Sequence, residues 1–405
     1  MFGATKRLWG EKPFKSHYQV VIIGGGIHGL AAAYFLAKEH GLTDVAVLER
    51  RYVGYGGSGR NTAIVRANQR SQANVRLYNE GLNLWWRLMD ELDFNMMFWN
   101  SGNLNLAHSE AAMGALRLQV STAQFCGVKS ELLDRQQCKE LIPALDITDR
   151  LTYPIHGGMY HPPGGTLRHD AVAWGLAKGA AQAGAAIHQL TEVTDLVLER
   201  GRVAKVRTNR GDIGAERVLV AAGGYSVQLA GMLGIKLPIH PLTIQAMVTQ
   251  PLKPFLHHVV SSGAYHSYAN QTLKGEVATG AHMDAEPNFT TNPTAIYFKH
   301  QAEAMTEMLP CLKGVKFMRI WAGLADMTSD MAPIMEGNWP VEGLYLDCGW
   351  GYFGFKSGPI AGKYMAEYVA RQTCPDVLRP FTVQRFYQGR PMGETAAAIN
   401  YGPWN

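Results

Sequence analysis

YQVVIIGGGIHGLAAAYFLAKEHGLTDVAVLE, residues 18–49, decides the fold. Tyr18–Ile23 is short, apolar and β-branched at its centre, the composition of a buried parallel strand. Three glycines interrupt it, and apolar residues then recur at helical spacing until Gly41 stops them. Val45–Glu49 is a second buried strand, so the chain opens on a βαβ unit. Gly24, Gly26 and Gly29 stand at GxGxxG spacing between strand and helix, and Glu49 closes the second strand. That context completes a dinucleotide-binding fingerprint. Gly24 permits the tight turn, Gly26 lets the backbone approach a pyrophosphate, and Gly29 lets the helix sit against the strand. The helix N-terminus favours the phosphates. Glu49 is expected to accept ribose hydroxyls.

Further strands and helices follow. The spacing predicts helices over 73–93, 169–183, 297–309 and 358–372. It predicts three short strands over 192–224 and a buried strand at 344–349. Nucleotide-type strands thus fall near the start, middle and end, with blocks of antiparallel character between. The expected class is α/β. A discontinuous Rossmann-like dinucleotide domain (1–93, 160–235 and 331–405) would be interleaved with a mixed or antiparallel-sheet α+β substrate domain (94–159 and 236–330).

Composition narrows the function. The chain has 405 residues, 47% hydrophobic and 18% charged, with a formal net charge of +5. No dense Lys/Arg block accompanies that excess, so nucleic acid is not expected. An anionic cofactor or small acidic substrate is. Five scattered cysteines without CxxC spacing predict a reducing, cytoplasmic setting with neither disulfides nor a metal site. No apolar run is long enough to span a membrane.

Two later stretches extend the cofactor reading. Residues 49–66, ERRYVGYGGSGRNTAIVR, are glycine-rich and polar, as if wrapped around a second part of one long ligand, with Arg60, Asn61 and Thr62 as contacts. Residues 348–362, CGWGYFGFKSGPIAG, place a glycine-rich loop, with Gly354 and Phe355 as cofactor contacts, before a helix whose N-terminus suits the pyrimidine end of a flavin. The helix dipole there favours the negative charge of the reduced ring. In GGTLRHDAVAW (164–174), Arg168 and His169 stand together at a helix start, where a charged histidine would be misplaced.

The segments GGGIHGLAAAYFLAKEHGLTDVAVLE, GRNTAIVRAN, NLNLAH, GGTLRHDAVAWG and LYLDCGWGYFGFK extend over nearly the whole chain. In them the sequence resembles FAD-dependent amine oxidases of the D-amino-acid oxidase and glycine oxidase superfamily. More narrowly, it resembles the β-subunit family of heterotetrameric sarcosine oxidases. Proline, hydroxyproline and N-methylglutamate dehydrogenase subunits share the architecture, and a single-flavin subunit of that type is the alternative. The resemblance implies oxidation of a secondary (N-methyl) amino acid by non-covalent FAD. It also implies a covalent FMN on His169, a larger α subunit and small subunits. A neutral imidazole is needed for the flavin bond, and Arg168 would help keep it neutral while meeting phosphate or reduced-flavin charge. By position, Arg66 and Lys356 would hold the substrate carboxylate. The oxygen-activating lysine of the single-flavin relatives has no counterpart in EVATGAH (276–282), which implies electron transfer to FMN. His282 there matches a histidine near their substrate. Asp330 and Pro333 match a structural turn. Tyr352, Phe353, NTAIVRANQ and the tail NYGPWN depart from the family pattern. The bulky pair points to a reshaped amine pocket.

Overall fold

The structure, a computed structural model, describes residues 8–394; the tail NYGPWN lies outside them. The opening unit is present as strand His17–Ile23, helix Ile27–His40 and strand Val45–Leu48. Strand alternation sends Val20, Ile22, Val45 and Val47 into a core shared with helices. Tyr18, Val21, Ile23, Ala46 and Leu48 enter a second core on the opposite face. Burial on both faces explains why these strands read as unbroken apolar runs.

Parallel strands form the centre of the first sheet, in the order Leu344–Cys348, Gly211–Val220, His17–Ile23, Val45–Leu48, Ala186–His188. Ile334–Gly337 is an antiparallel edge, and Val193–Glu199 and Arg202–Thr208 join Gly211–Val220 as an antiparallel meander. Parts of the chain far apart in sequence therefore meet in one sheet, as the spacing of apolar strands predicts.

The second sheet is 8-stranded, running Phe317–Thr328, Ile239–Thr249, Val277–Met283, Ser267–Gln271, Val259–Ser262, Asn103–Ala107, Gly157–His161, Glu131–Asp134. Neighbours are antiparallel except Val259–Ser262 beside Asn103–Ala107. Gly157–His161 pairs wholly within this sheet and so straddles the 159/160 division expected from sequence.

Helix Gln72–Glu91 buries Val75, Leu77, Tyr78, Leu82, Trp85 and Leu88. Trp86, adjacent to buried Trp85, is exposed, because adjacent helical residues point about 100° apart. The last long helix, Gly354–Arg371, starts earlier than the expected residue 358. Pro359 suggests a first-turn position, since it lacks an N–H, yet the helix already runs from Gly354. Trp85 Nε1 donates to Lys356 O at 3.3 Å, and Ser357 Oγ donates to Gly354 O at 3.2 Å. This helix lies against Ile27–His40; a Cβ on Gly362 would sit 2.6 Å from Ala31 Cβ.

The turn expected at Asp330 holds a buried ion pair. Arg385 donates to both Asp330 oxygens at 2.7 and 3.0 Å. No helix among the described residues is long and apolar enough to cross a membrane. Nor do they contain a His/Cys/Asp/Glu group arranged to hold a metal.

Candidate active site

A cavity of about 950 Å³ runs between the two sheets. One end is the glycine turn. Gly24 has φ of +125°, and a Cβ there would meet Ala221 O at 2.3 Å. A Cβ on Gly29 would meet Gly24 O at 2.1 Å, so only glycine lets the helix close on the strand. Gly26 caps the helix without a side-chain bond, and Ser58 Oγ accepts from Ile27 N–H at 3.0 Å. Glu49 ends beside this turn, accepting from Gly25 N–H at 3.0 Å and Arg51 N–H at 2.8 Å. Burial raises its pKa against those two bonds. The turn, the helix start and Glu49 all line the cavity, the combination that fits the adenosine and pyrophosphate of a dinucleotide.

Arg60, Asn61 and Thr62 also line it, and their polar groups are largely occupied by the wall. Arg60 donates to Tyr55 O at 3.1 Å and Ala322 O at 2.9 Å, and Asn61 donates to Gly57 O and Ser58 O. Thr62 bonds Tyr268, whose phenol burial pushes up to about 12.

Arg66 and Lys356 come together at the other end with Gly354, Phe355 and Phe353. The Phe353 ring lies 5.5 Å from the Arg66 guanidinium carbon and 4.9 Å from Lys356 Nζ. Arg66 donates to Asn68 Oδ1 at 2.9 Å. Among the described residues no carboxylate forms an ion pair with either cation. Burial lowers the pKa of both, and the Arg66 charge lowers that of Lys356 further, well below the ordinary lysine value. Lys356 was expected in a loop; it occupies the first turn of the helix.

His169 and Arg168 do not line the cavity. His169 opens helix His169–Gln182, as expected, with Arg168 as its backbone cap. The His169 pKa is lowered chiefly by burial; Asp170 opposes the shift, while Arg168 and Arg319 assist it. Arg168, expected to meet cofactor charge, instead makes a fork to Asp170 with two contacts of 2.8 Å. An acceptor two residues away satisfies the guanidinium locally. His169 has a backbone hydrogen bond with Gly59, whose flanking residues Ser58 and Arg60 line the cavity. The imidazole therefore lies behind the cavity wall.

His282 also stands apart, in a small space with Tyr297 and Phe298, whereas His266 and His28 line the main cavity. Sequence reasoning missed a buried pair, His28–Asp347, at 3.0 Å. A lone aspartate in the apolar strand LYLDC signals a required partner, but not which one.

A family model described as FAD dependent oxidoreductase matches residues 19–368. The chain belongs to the FAD-dependent oxidoreductase family, on the branch of the sarcosine oxidase β subunits. It is 42% identical to sarcosine oxidase subunit beta of Rhizobium meliloti over 94% of this chain and 91% of that one. It is 37% identical to the Rhodobacter capsulatus subunit over 97% and 94%. Among solved structures, L-proline dehydrogenase from P. horikoshii superposes with a TM-score of 0.86 at 28% identity, covering 93% of this chain and 99% of that chain. This member of the family is thus an FAD-dependent, amine-oxidising enzyme.

Proposed function

We propose that this chain is the β-like subunit of a sarcosine oxidase-type enzyme that oxidises a secondary, N-methyl amino acid. The observation that carries the reading is a pair of cations at one end of the cavity, partly buried Arg66 and buried Lys356, neither in an ion pair with a carboxylate among the described residues. A substrate carboxylate supplies the missing anion, with Arg66 offering a fork and Lys356 a point charge. The same two cations disfavour a protonated amine beside them, so the substrate nitrogen is held neutral. Its lone pair then drives loss of hydride from the adjacent carbon. FAD, when bound, supplies the acceptor for that hydride. Water adds to the resulting imine; from sarcosine the products are glycine and formaldehyde. Phe353 and Tyr352 shape the wall beside the amine.

The reading extends to a second flavin, FMN, bonded to His169. Burial beside Gly59 supports it by favouring a neutral imidazole. Residues 1–93, 160–235 and 331–405 would form the cofactor unit and 94–159 with 236–330 the substrate unit, the strand Gly157–His161 carrying the substrate unit's sheet across that boundary. The relatives named subunit beta support assembly with a larger α subunit and small subunits. A second reading, a single-flavin dehydrogenase subunit for L-proline, hydroxyproline or N-methylglutamate, draws on the structural likeness to L-proline dehydrogenase and on bulky Tyr352 and Phe353.

Anaerobic addition of sarcosine or L-proline to the purified protein distinguishes them. Bleaching of the flavin band by sarcosine is expected; bleaching by L-proline alone favours the second reading. Acid precipitation is expected to leave yellow colour on the protein. Complete release of flavin sinks the covalent claim.

A further inference from the structure

His28 occupies a variable position inside the glycine fingerprint, and its ring is largely enclosed where the helices Ile27–His40 and Gly354–Arg371 begin side by side. Nδ1 lies 3.0 Å from Asp347 Oδ2, and Nε2 lies 2.8 Å from Gly354 O. Gly354 O is a carbonyl and cannot donate, and Asp347 in its carboxylate form cannot either. A neutral ring carries one N–H, so one nitrogen would face an acceptor with no proton between them. Only the doubly protonated ring satisfies both contacts.

Asp347 has a second bond, accepted from Trp350 Nε1 at 2.6 Å. The Trp350 ring lies 4.8 Å from the imidazole. Asp326, buried nearby, accepts from Gly349 N–H at 2.7 Å, and burial pushes its pKa up to about 6. His28, Asp347 and Asp326 all line the cavity beyond the glycine turn, toward Lys356 and Arg66. With the pyrophosphate held at the turn, this is the part of the cavity left for the flavin half. A bare carboxylate there would oppose the negative charge that a flavin acquires on reduction.

We propose that His28 is a fixed imidazolium that cancels Asp347 at the flavin end of the cavity and thereby raises the reduction potential of the bound FAD. It is a positioning residue for charge, acting through Asp347. Burial works against the charged ring, but Asp347 and the Gly354 carbonyl outweigh it and raise the pKa. Asp326 adds to this in the same direction.

The test is the FAD midpoint potential, by anaerobic titration against a reference dye, in the FAD-loaded wild type, His28→Gln, and His28→Gln/Asp347→Asn. The single variant is expected to weaken binding of reduced relative to oxidised FAD about tenfold, a fall of about 30 mV for a two-electron couple. The double variant, with no carboxylate left uncancelled, is expected to return to the wild-type potential. An unchanged potential in His28→Gln, or a double variant lower than the single, overturns the proposal, because a purely structural tie is damaged further by a second change. A second measurement needs no variant at residue 28. In 15N-histidine-labelled wild type at about pH 8, above the ordinary histidine range, one ring should carry imidazolium shifts on both nitrogens, and Asp347→Asn should abolish that signal. Entirely neutral rings in the wild type refute the assignment. Either result stands apart from the identity of the amine, since neither measurement uses substrate.

Discussion

Replacing Lys356 by Met should weaken substrate binding and stabilise the fold. Lys356 is only 7% exposed, faces the Arg66 charge and lacks a carboxylate partner. A charge-assisted hydrogen bond to a bound carboxylate contributes roughly 1.5–3 kcal/mol. At 1.4 kcal/mol per decade, its loss raises Kd about 10- to 150-fold. Propionate, a carboxylate without an oxidisable amine, is a clean probe, read by its perturbation of the flavin spectrum. In the wild type its affinity should fall as pH rises through the depressed Lys356 pKa, because the neutral amine no longer attracts it. In Lys356→Met that dependence should vanish. Stability moves the other way. A buried ammonium without an anion costs roughly 1–3 kcal/mol, which methionine of similar length does not incur. For 405 residues the unfolding entropy makes each kcal/mol worth about 1 °C, so Tm should rise by about 1–3 °C. The linkage sign fixes the window: the folded pKa lies below the unfolded one, so lysine costs most below its folded pKa and nothing above its ordinary value. An unchanged propionate Kd, or a lower Tm for Lys356→Met, would refute the anion-site reasoning.

Three further outcomes are expected. Gly29→Ala drives a Cβ to 2.1 Å from Gly24 O and should abolish FAD retention through purification, measured as the flavin-to-protein absorbance ratio. Asp330→Asn leaves Arg385 buried without its anion and should destabilise by about 3–5 kcal/mol, read by chemical denaturation. Burial works to raise the Asp330 pKa, but Arg385 holds it below the usual carboxylate value; the pair's stability is therefore present above that value and lost as pH falls through the folded pKa, and Asp330→Asn should flatten this acid limb. His169→Ala should release all colour on acid precipitation while keeping the acid-releasable FAD; retained colour would show that the flavin bond lies elsewhere.

The glycine turn, Glu49 and the parallel strands were legible because their signals are local. A strand buried on both faces is apolar throughout, and a phosphate-type turn needs glycine at fixed spacing. Arg66 and Lys356 were legible only through resemblance: nothing in their own neighbourhoods says that residues 66 and 356 meet. Their proximity depends on the last helix docking against the first. That helix's start was misplaced because Pro359 mimics a first-turn residue, although the helix already runs from Gly354. The Arg168 fork was readable in principle, since Asp170 is two residues away. His28 was visible as a letter in the fingerprint, but its charge depends on Asp347, an acceptor 319 positions away.

The tie between His28 and Gly354 spans 326 positions. The motif easiest to read at the start of the gene is therefore the last to be completed during synthesis. As the ribosome emits residues 18–49, the first strand has one of its two sheet neighbours, because Gly211–Val220 is still unmade. The cofactor turn gains its buried counter-charge only when Asp347 and the final helix emerge. A nascent polypeptide that ends before residue 344 holds a glycine turn that is spelled out but lacks the later sheet strand Leu344–Cys348.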